Sequence, residues 1–183
     1  VINNDKNIVE WAEEQASTLL SPMGNRWLHV QGVVERARKV SQIFNDKDGA
    51  YLIAAAYLHD IGYAPSLKRT GFHPIDGAYY LRSHKQNRLA SLVAHHSEAQ
   101  FEASLRGLIA ELDKFPRKCS SLSDALTYCD MTTSPTGLSI SFQERIADIF
   151  GRYDDGNIVS KAIHLAVPAL SLAVERIQKK LET

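Results

Sequence analysis

The sequence predicts an all-α protein, a bundle of about eight or nine helices. Three observations lead there. Apolar residues recur at spacings of three and four almost throughout. No segment alternates apolar and polar residues with period two over a convincing length. The most apolar stretch, residues 50–58, carries an Ala-Ala-Ala run, and Ala favours helices and is depleted in strands.

The elements follow in order. Ile8, Trp11, Ala12, Gln15 and Leu19 form a short amphipathic face. Trp27, Val30, Val34, Ala37, Ser41 and Phe44 mark a longer helix, and residues 50–58 a buried one. Gly62 and Pro65 stop that segment, and residues 63–72 read as a loop. His73-Pro74 opens the next helix, with Asp76 in its first turn. Further faces are Leu89, Leu92, Val93 and His96; Leu105, Leu108, Ile109 and Leu112; Leu122, Leu126 and Cys129; and Phe142, Ile146, Ile149 and Tyr153. The last helix runs from Val159 to Leu181, and Pro168 is expected to kink it.

Composition narrows the function. The 183 residues suit one domain, and a chain of this size buries roughly 70% of its unfolded surface. Lys+Arg and Asp+Glu are both 21, so the basic excess of a dedicated nucleic-acid binder is missing. A nucleic-acid partner is therefore not expected. Two cysteines, Cys119 and Cys129, cannot form a disulfide framework and point to a reducing compartment, the cytoplasm. The longest uncharged apolar stretches, 49–58 and 162–174, are too short to span a bilayer, and the acidic, polar first twenty residues show no signal peptide. No membrane association is expected, and the long final helix could serve a homodimer interface as well as the core.

The chemistry concentrates on histidines and aspartates. His59-Asp60 closes the most apolar helix, where a carboxylate is costly unless paired or bound to metal. Asp130 lies four residues after Leu126 and eight after Leu122, on the apolar stripe of its helix. An ion pair with Arg26 or Arg36 would explain it as well as a metal would. His29 sits beside Val30, Val33 and Val34, and His96 follows Val93 by three, while His95 is offset from that face. Any one of these could be a hydrogen-bonded core histidine. Four helices that each aim such a group inward resemble a metal site in a bundle, and mixed N/O donors suit transition metals better than Ca²⁺.

The order His29, His59-Asp60 in Leu-His-Asp-Ile-Gly, and Asp130 in Tyr-Cys-Asp resembles the HD-domain superfamily of metal-dependent phosphohydrolases, over about residues 24–135. The resemblance implies a single HD-type domain over 1–183, with helices in 140–183 packing on the motif-bearing part. It implies that His29, His59, Asp60 and Asp130 ligate one metal. His73, followed by Gly77-Ala78, and His95-His96 resemble the dinuclear branch of that family. There Asp60 would bridge two divalent ions, with His73 and His96 completing the second site; helical phase favours His96 over His95. Fe or Mn is favoured, with Mg, Co, Ni and Zn as alternatives. The implied reaction is attack of a metal-activated water on a small phosphoester, such as a nucleotide or related phosphorylated metabolite.

Around these ligands, Arg26, Lys68, Arg69 and Thr133 are candidate substrate-binding residues, and Asp60 and His95 candidate catalytic ones. Lys68 and Arg69 could equally be a solvated loop pair, and Thr132 and Thr133 could serve turn formation. Tyr63 stands where members acting on cyclic dinucleotides often carry Lys, and their Gly-Tyr-Pro signature is absent. The same six ligands would serve a di-iron oxygenase of this fold, and a non-catalytic regulatory module that binds metal or nucleotide is a further alternative.

Overall fold

The computed structural model describes residues 4–183, with side chains from residue 8 onward. The first three residues of the expected 1–183 domain lie outside the described residues. Ten α-helices are found among the described residues: α1 (Asn4–Leu20), α2 (Asn25–Val40), α3 (Asp46–Leu58), α4 (His73–Ser83), α5 (Asn87–Ala94), α6 (Gln100–Leu105), α7 (Ile109–Leu112), α8 (Ser121–Met131), α9 (Phe142–Arg152) and α10 (Ile158–Leu181). Among the described residues there is no strand, only an isolated bridge between Thr133 and Ser139. The helix count exceeds the expected eight or nine because the segment from Leu105 to Leu112 breaks. Gly107 adopts φ 69°, which ends α6 before α7 begins.

Helix α3 is the centre of the bundle. Residues Ala54 to Leu58 are all buried, which fits a helix of small and apolar side chains touched on every side. Asn45 caps its start by accepting from the Asp48 backbone N–H at 2.9 Å. Helices α1, α2, α5 and α8 pack around it. Helix α8 begins with a capping box between Ser120 and Ser123, and α9 with one between Ser141 and Glu144.

The 63–72 segment is more ordered than a plain loop. Two 3-10 turns, Ile61–Tyr63 and Pro65–Leu67, lead out of α3. Buried Asp76 then ties the chain down, accepting from Thr70 N–H at 2.7 Å, the Thr70 hydroxyl at 2.7 Å and Gly71 N–H at 3.0 Å. Phe72, rather than His73, is the N-cap of α4, so His73 enters the helix.

Two glycines let backbones approach where a side chain would block them. A Cβ on Gly62 would lie 2.0 Å from the His73 carbonyl oxygen, and one on Gly32 would lie 2.2 Å from the Gly137 carbonyl oxygen. The first contact presses α4 against the end of α3. The second seats the 134–139 loop on α2.

Helix α10 continues through Pro168, which is exposed, so the carbonyl that loses its partner can be met by water. At 24 residues it is long and apolar enough to cross a membrane, although the uncharged stretch 162–174 alone is too short. Here its buried stripe, including Ala162, Ala166, Leu170, Val174 and Ile177, packs against α6 and α8. Both cysteines are free, Cys119 exposed and Cys129 buried.

Gly62→Ala is expected to destabilise the protein by about 1–3 kcal/mol, because the added methyl meets rigid backbone. Gly151→Ala has the opposite sign, about 0.5–1 kcal/mol of stabilisation, since that helical glycine faces open space. Denaturant titration of the two variants checks both; equal midpoints would refute the close-approach argument.

Candidate metal centre

Five of the polar residues predicted from sequence meet at the end of α3: His29 from α2, His59 and Asp60 after α3, His96 after α5 and Asp130 in α8 are all at least nine-tenths buried. His73, the first residue of α4, joins them half-buried. Two groups of donors form. The donor atoms of His29, His59 and Asp130 lie within 4.8 Å of one another, and so do those of Asp60, His73 and His96. Asp60 links the groups: its Oδ2 is 3.5 Å from His59 Nε2 and its Oδ1 is 3.3 Å from His73 Nε2.

Main-chain carbonyls fix three of the imidazoles. His59 Nδ1 donates to the Ala56 carbonyl at 2.8 Å, His96 Nδ1 to the Val93 carbonyl at 2.6 Å and His29 Nδ1 to the Ser134 carbonyl at 2.9 Å. A carbonyl only accepts, so each Nδ1 must carry the proton, and each neutral ring must turn an Nε2 lone pair inward. His29 Nε2 then faces Asp130 Oδ1 at 3.1 Å, acceptor to acceptor. His59 Nε2 is buried with no hydrogen-bond partner at all. Such contacts repel unless a proton or a cation lies between them. Ligands about 2.1 Å from one ion stand roughly 3–3.5 Å apart, as His29 Nε2 and Asp130 Oδ1 do. The donor set therefore fits divalent metal ions, with imidazole and carboxylate suited to Fe, Mn, Co, Ni or Zn.

For His59 and His73, burial also favours the neutral ring. Burial pushes the His59 and His73 pKa values down, against the pull of nearby carboxylates. Burial alone would raise Asp60 and Asp130, yet both are held well below the usual carboxylate range. For Asp60 the opposing influences are led by His59 and Arg26, and for Asp130 by His29, which lowers it by a hydrogen bond when a proton rather than a metal lies between them.

A cleft of about 130 Å³ opens over this centre. Arg26 lines it and donates to Asp60 Oδ2 at 2.5 Å. The Tyr63 ring stacks on His73, with centroids 4.0 Å apart, and also lies 3.9 Å from the Arg26 guanidinium carbon. That contact ties the start of α2 to His73.

Some sequence expectations are corrected. His95, expected to carry protons at the centre, points elsewhere: its Nε2 donates to the Phe115 carbonyl at 2.7 Å, and the ring borders a separate cavity lined by Phe115, Pro116 and Lys118. Helix α5 ends at Ala94, and just beyond it His96 takes the inward position. Lys68 and Arg69 are exposed and do not line the cleft; the bend of Thr70-Gly71 onto Asp76 turns Arg69 outward, over the Tyr79 ring. Thr133 is buried and donates to the Cys129 carbonyl at 2.7 Å, finishing α8 rather than facing a ligand. The two histidines outside the motif, His84 and His164, are exposed.

Polar cleft residues that were not singled out from sequence include Ser97, Arg145 and Arg152. Ser97, at φ 48°, donates to Asp130 Oδ2 at 2.5 Å. Its left-handed backbone has no signature in a non-glycine residue. Arg145 and Arg152 of α9 also line the cleft. Arg145 left a readable signal: it falls three residues after Phe142 and four before Ile149, on the apolar stripe.

Two outcomes are expected. His59→Ala and His73→Ala each remove metal from a different donor group, and Asp60→Asn lowers both, as read by elemental analysis of purified protein; unchanged metal in all three would refute the assignment. In chelated protein, His59 and His73 resist protonation in the folded state, so below their ordinary value of 6.5 the unfolded chain binds protons the folded chain refuses. Stability should thus fall as pH drops from about 7 to about 5. The contribution of depressed Asp60 and Asp130 persists there and is lost only as pH falls through and below their ordinary 3.8. Thermal melts across that range check the sign; a flat profile between pH 7 and 5 contradicts it.

The family model described as HD domain matches residues 26–128, which takes in His29, His59, Asp60, His73 and His96 and ends two residues before Asp130. No curated protein and no solved structure matches the chain. The matched span is more than half of the 183 residues, and the chain belongs to the HD domain family.

Proposed function

We propose that this protein is a metal-dependent phosphohydrolase that hydrolyses a small phosphoester, a nucleotide or related phosphorylated metabolite. The observation that carries this reading is the convergence of inward-facing imidazole nitrogens and two buried carboxylates beneath a cleft bordered by guanidinium groups. The family supplies the broader frame, a superfamily of metal-dependent hydrolases. His29, His59 and Asp130 would hold one ion, His73 and His96 a second, and Asp60 would be shared; iron or manganese suits the donors best. Bound divalent cations would supply an acidified water and neutralise charge on phosphoryl oxygens.

The remaining work falls to the chain itself. Arg26 fixes Asp60 through Oδ2, and Ser97 fixes Asp130 through Oδ2, so both carboxylates are held in one orientation. The carbonyls of Ala56, Val93 and Ser134 do the same for three imidazoles. Guanidinium groups at the rim would attract the phosphoester and orient it. Burial of His59 beneath them keeps bulk water off the centre.

Protein reconstituted with Mn²⁺ or Fe²⁺ is expected to release phosphate from members of a phosphomonoester and phosphodiester panel. Release should stop with chelator, persist without O₂ and be abolished in Asp60→Asn. A panel with no turnover under any of these metals, or consumption of O₂ coupled to substrate loss, would overturn the reading.

A further inference from the structure

We propose that α9 is the phosphate grip of this site, with Arg145 and Arg152 binding the phosphoryl group of a phosphomonoester dianion and Asp148 positioning both. The inference rests on the hydrolase reading and names the substrate class within it. Helix α9 lies beyond the residues that match the family model, so nothing in that match assigns it a role.

The geometry is specific. Arg145 is 8% exposed, and its Nε is buried with no partner. Its Nη1 donates to Asp148 Oδ2 at 3.3 Å, and its Nη2 stands 3.7 Å from Asp130 Oδ1, beyond hydrogen-bond reach. Arg152 sends Nε and Nη2 to the same Asp148 Oδ2 at 3.2 and 2.9 Å. One carboxylate oxygen therefore gathers two guanidiniums, and one Asp cannot neutralise both.

A purely structural arginine would be expected to satisfy its donors where it is buried. Arg145 instead combines burial, an unbonded donor and a like-charged neighbour, each of which costs stability. Pairing with Asp130 does not account for it fully, because that contact is long, at 3.7 Å, and leaves the buried Nε donor unused. Both arginines line the same cleft as Asp60 and Asp130. Planar guanidiniums bind phosphoryl oxygens in pairs, and two of them match the two charges of a monoester better than the one charge of a diester. Ile149, Val159 and Ile163 give the cleft an apolar wall for the esterified part.

The test is calorimetric binding of inorganic phosphate to the Mn²⁺-loaded protein, with metal content measured in parallel. Arg145→Gln and Arg152→Gln should each weaken phosphate binding about tenfold or more while metal content holds. Arg145→Lys should restore part of the loss. Asp148→Asn should weaken binding less, and where an ester is turned over it should raise KM with kcat held. Arg152 lies at the surface with its side chain 40% exposed, so its variant reads the site even if Arg145→Gln fails to fold. Phosphate affinity within about twofold of wild type in Arg152→Gln and in every folded Arg145 variant overturns the proposal, and the hydrolase reading survives if turnover persists. Arginine-dependent phosphate binding without turnover of any ester supports the anion site and defeats the hydrolase reading.

Discussion

Everything at the centre of this protein depends on three hydrogen bonds that do not touch the centre itself. Each runs from an imidazole Nδ1 to a main-chain carbonyl, and each decides which ring nitrogen carries the proton. A histidine free to choose its tautomer could donate to a neighbouring carboxylate and settle the local charge with a proton. These rings cannot do so while neutral, because the proton is already committed on the far side. The inner nitrogens are left as buried lone pairs beside anionic oxygens, an arrangement with a strong appetite for positive charge.

The carboxylates are held in place by different means. Asp60 is met by Arg26 and Asp130 by Ser97, so neither depends on the histidines for orientation. Close backbone contacts do the rest. Gly62 allows the start of α4 to lie against the end of α3, which brings His73 alongside Asp60. Packing and electrostatics are thus coupled here: the polar cluster is tight because the surrounding main chain is tight.

Much of this was legible in the sequence, and the reasons for the exceptions are physical. Period and composition reveal which helices exist because burial acts on every third or fourth residue. They missed the break at Gly107 because the apolar spacing continues on either side of it. His96 was separated from His95 by helical phase, and it takes the inward position although α5 ends at Ala94. Lys68, Arg69 and Thr133 were proposed from nearness along the chain, and nearness does not fix direction. The bend onto Asp76 turned Arg69 away, and the end of α8 absorbed the Thr133 hydroxyl. Arg145 was overlooked for the opposite reason. A charge within an apolar stripe is easily read as noise, yet it was the same irregularity that had marked Asp130.

The three carbonyl anchors differ in origin, and that difference orders how the protein comes together. Those of His59 and His96 lie three residues back along the chain, so a single local turn can set them. That of His29 lies 105 residues ahead, in the loop that Gly137 seats on α2. During synthesis the first two rings are oriented as soon as their own segments coil, while the third waits for the distant loop to emerge and dock. The anchor of His29 is therefore set later than the other two, so a nascent chain cannot display a finished centre before residue 134 has emerged.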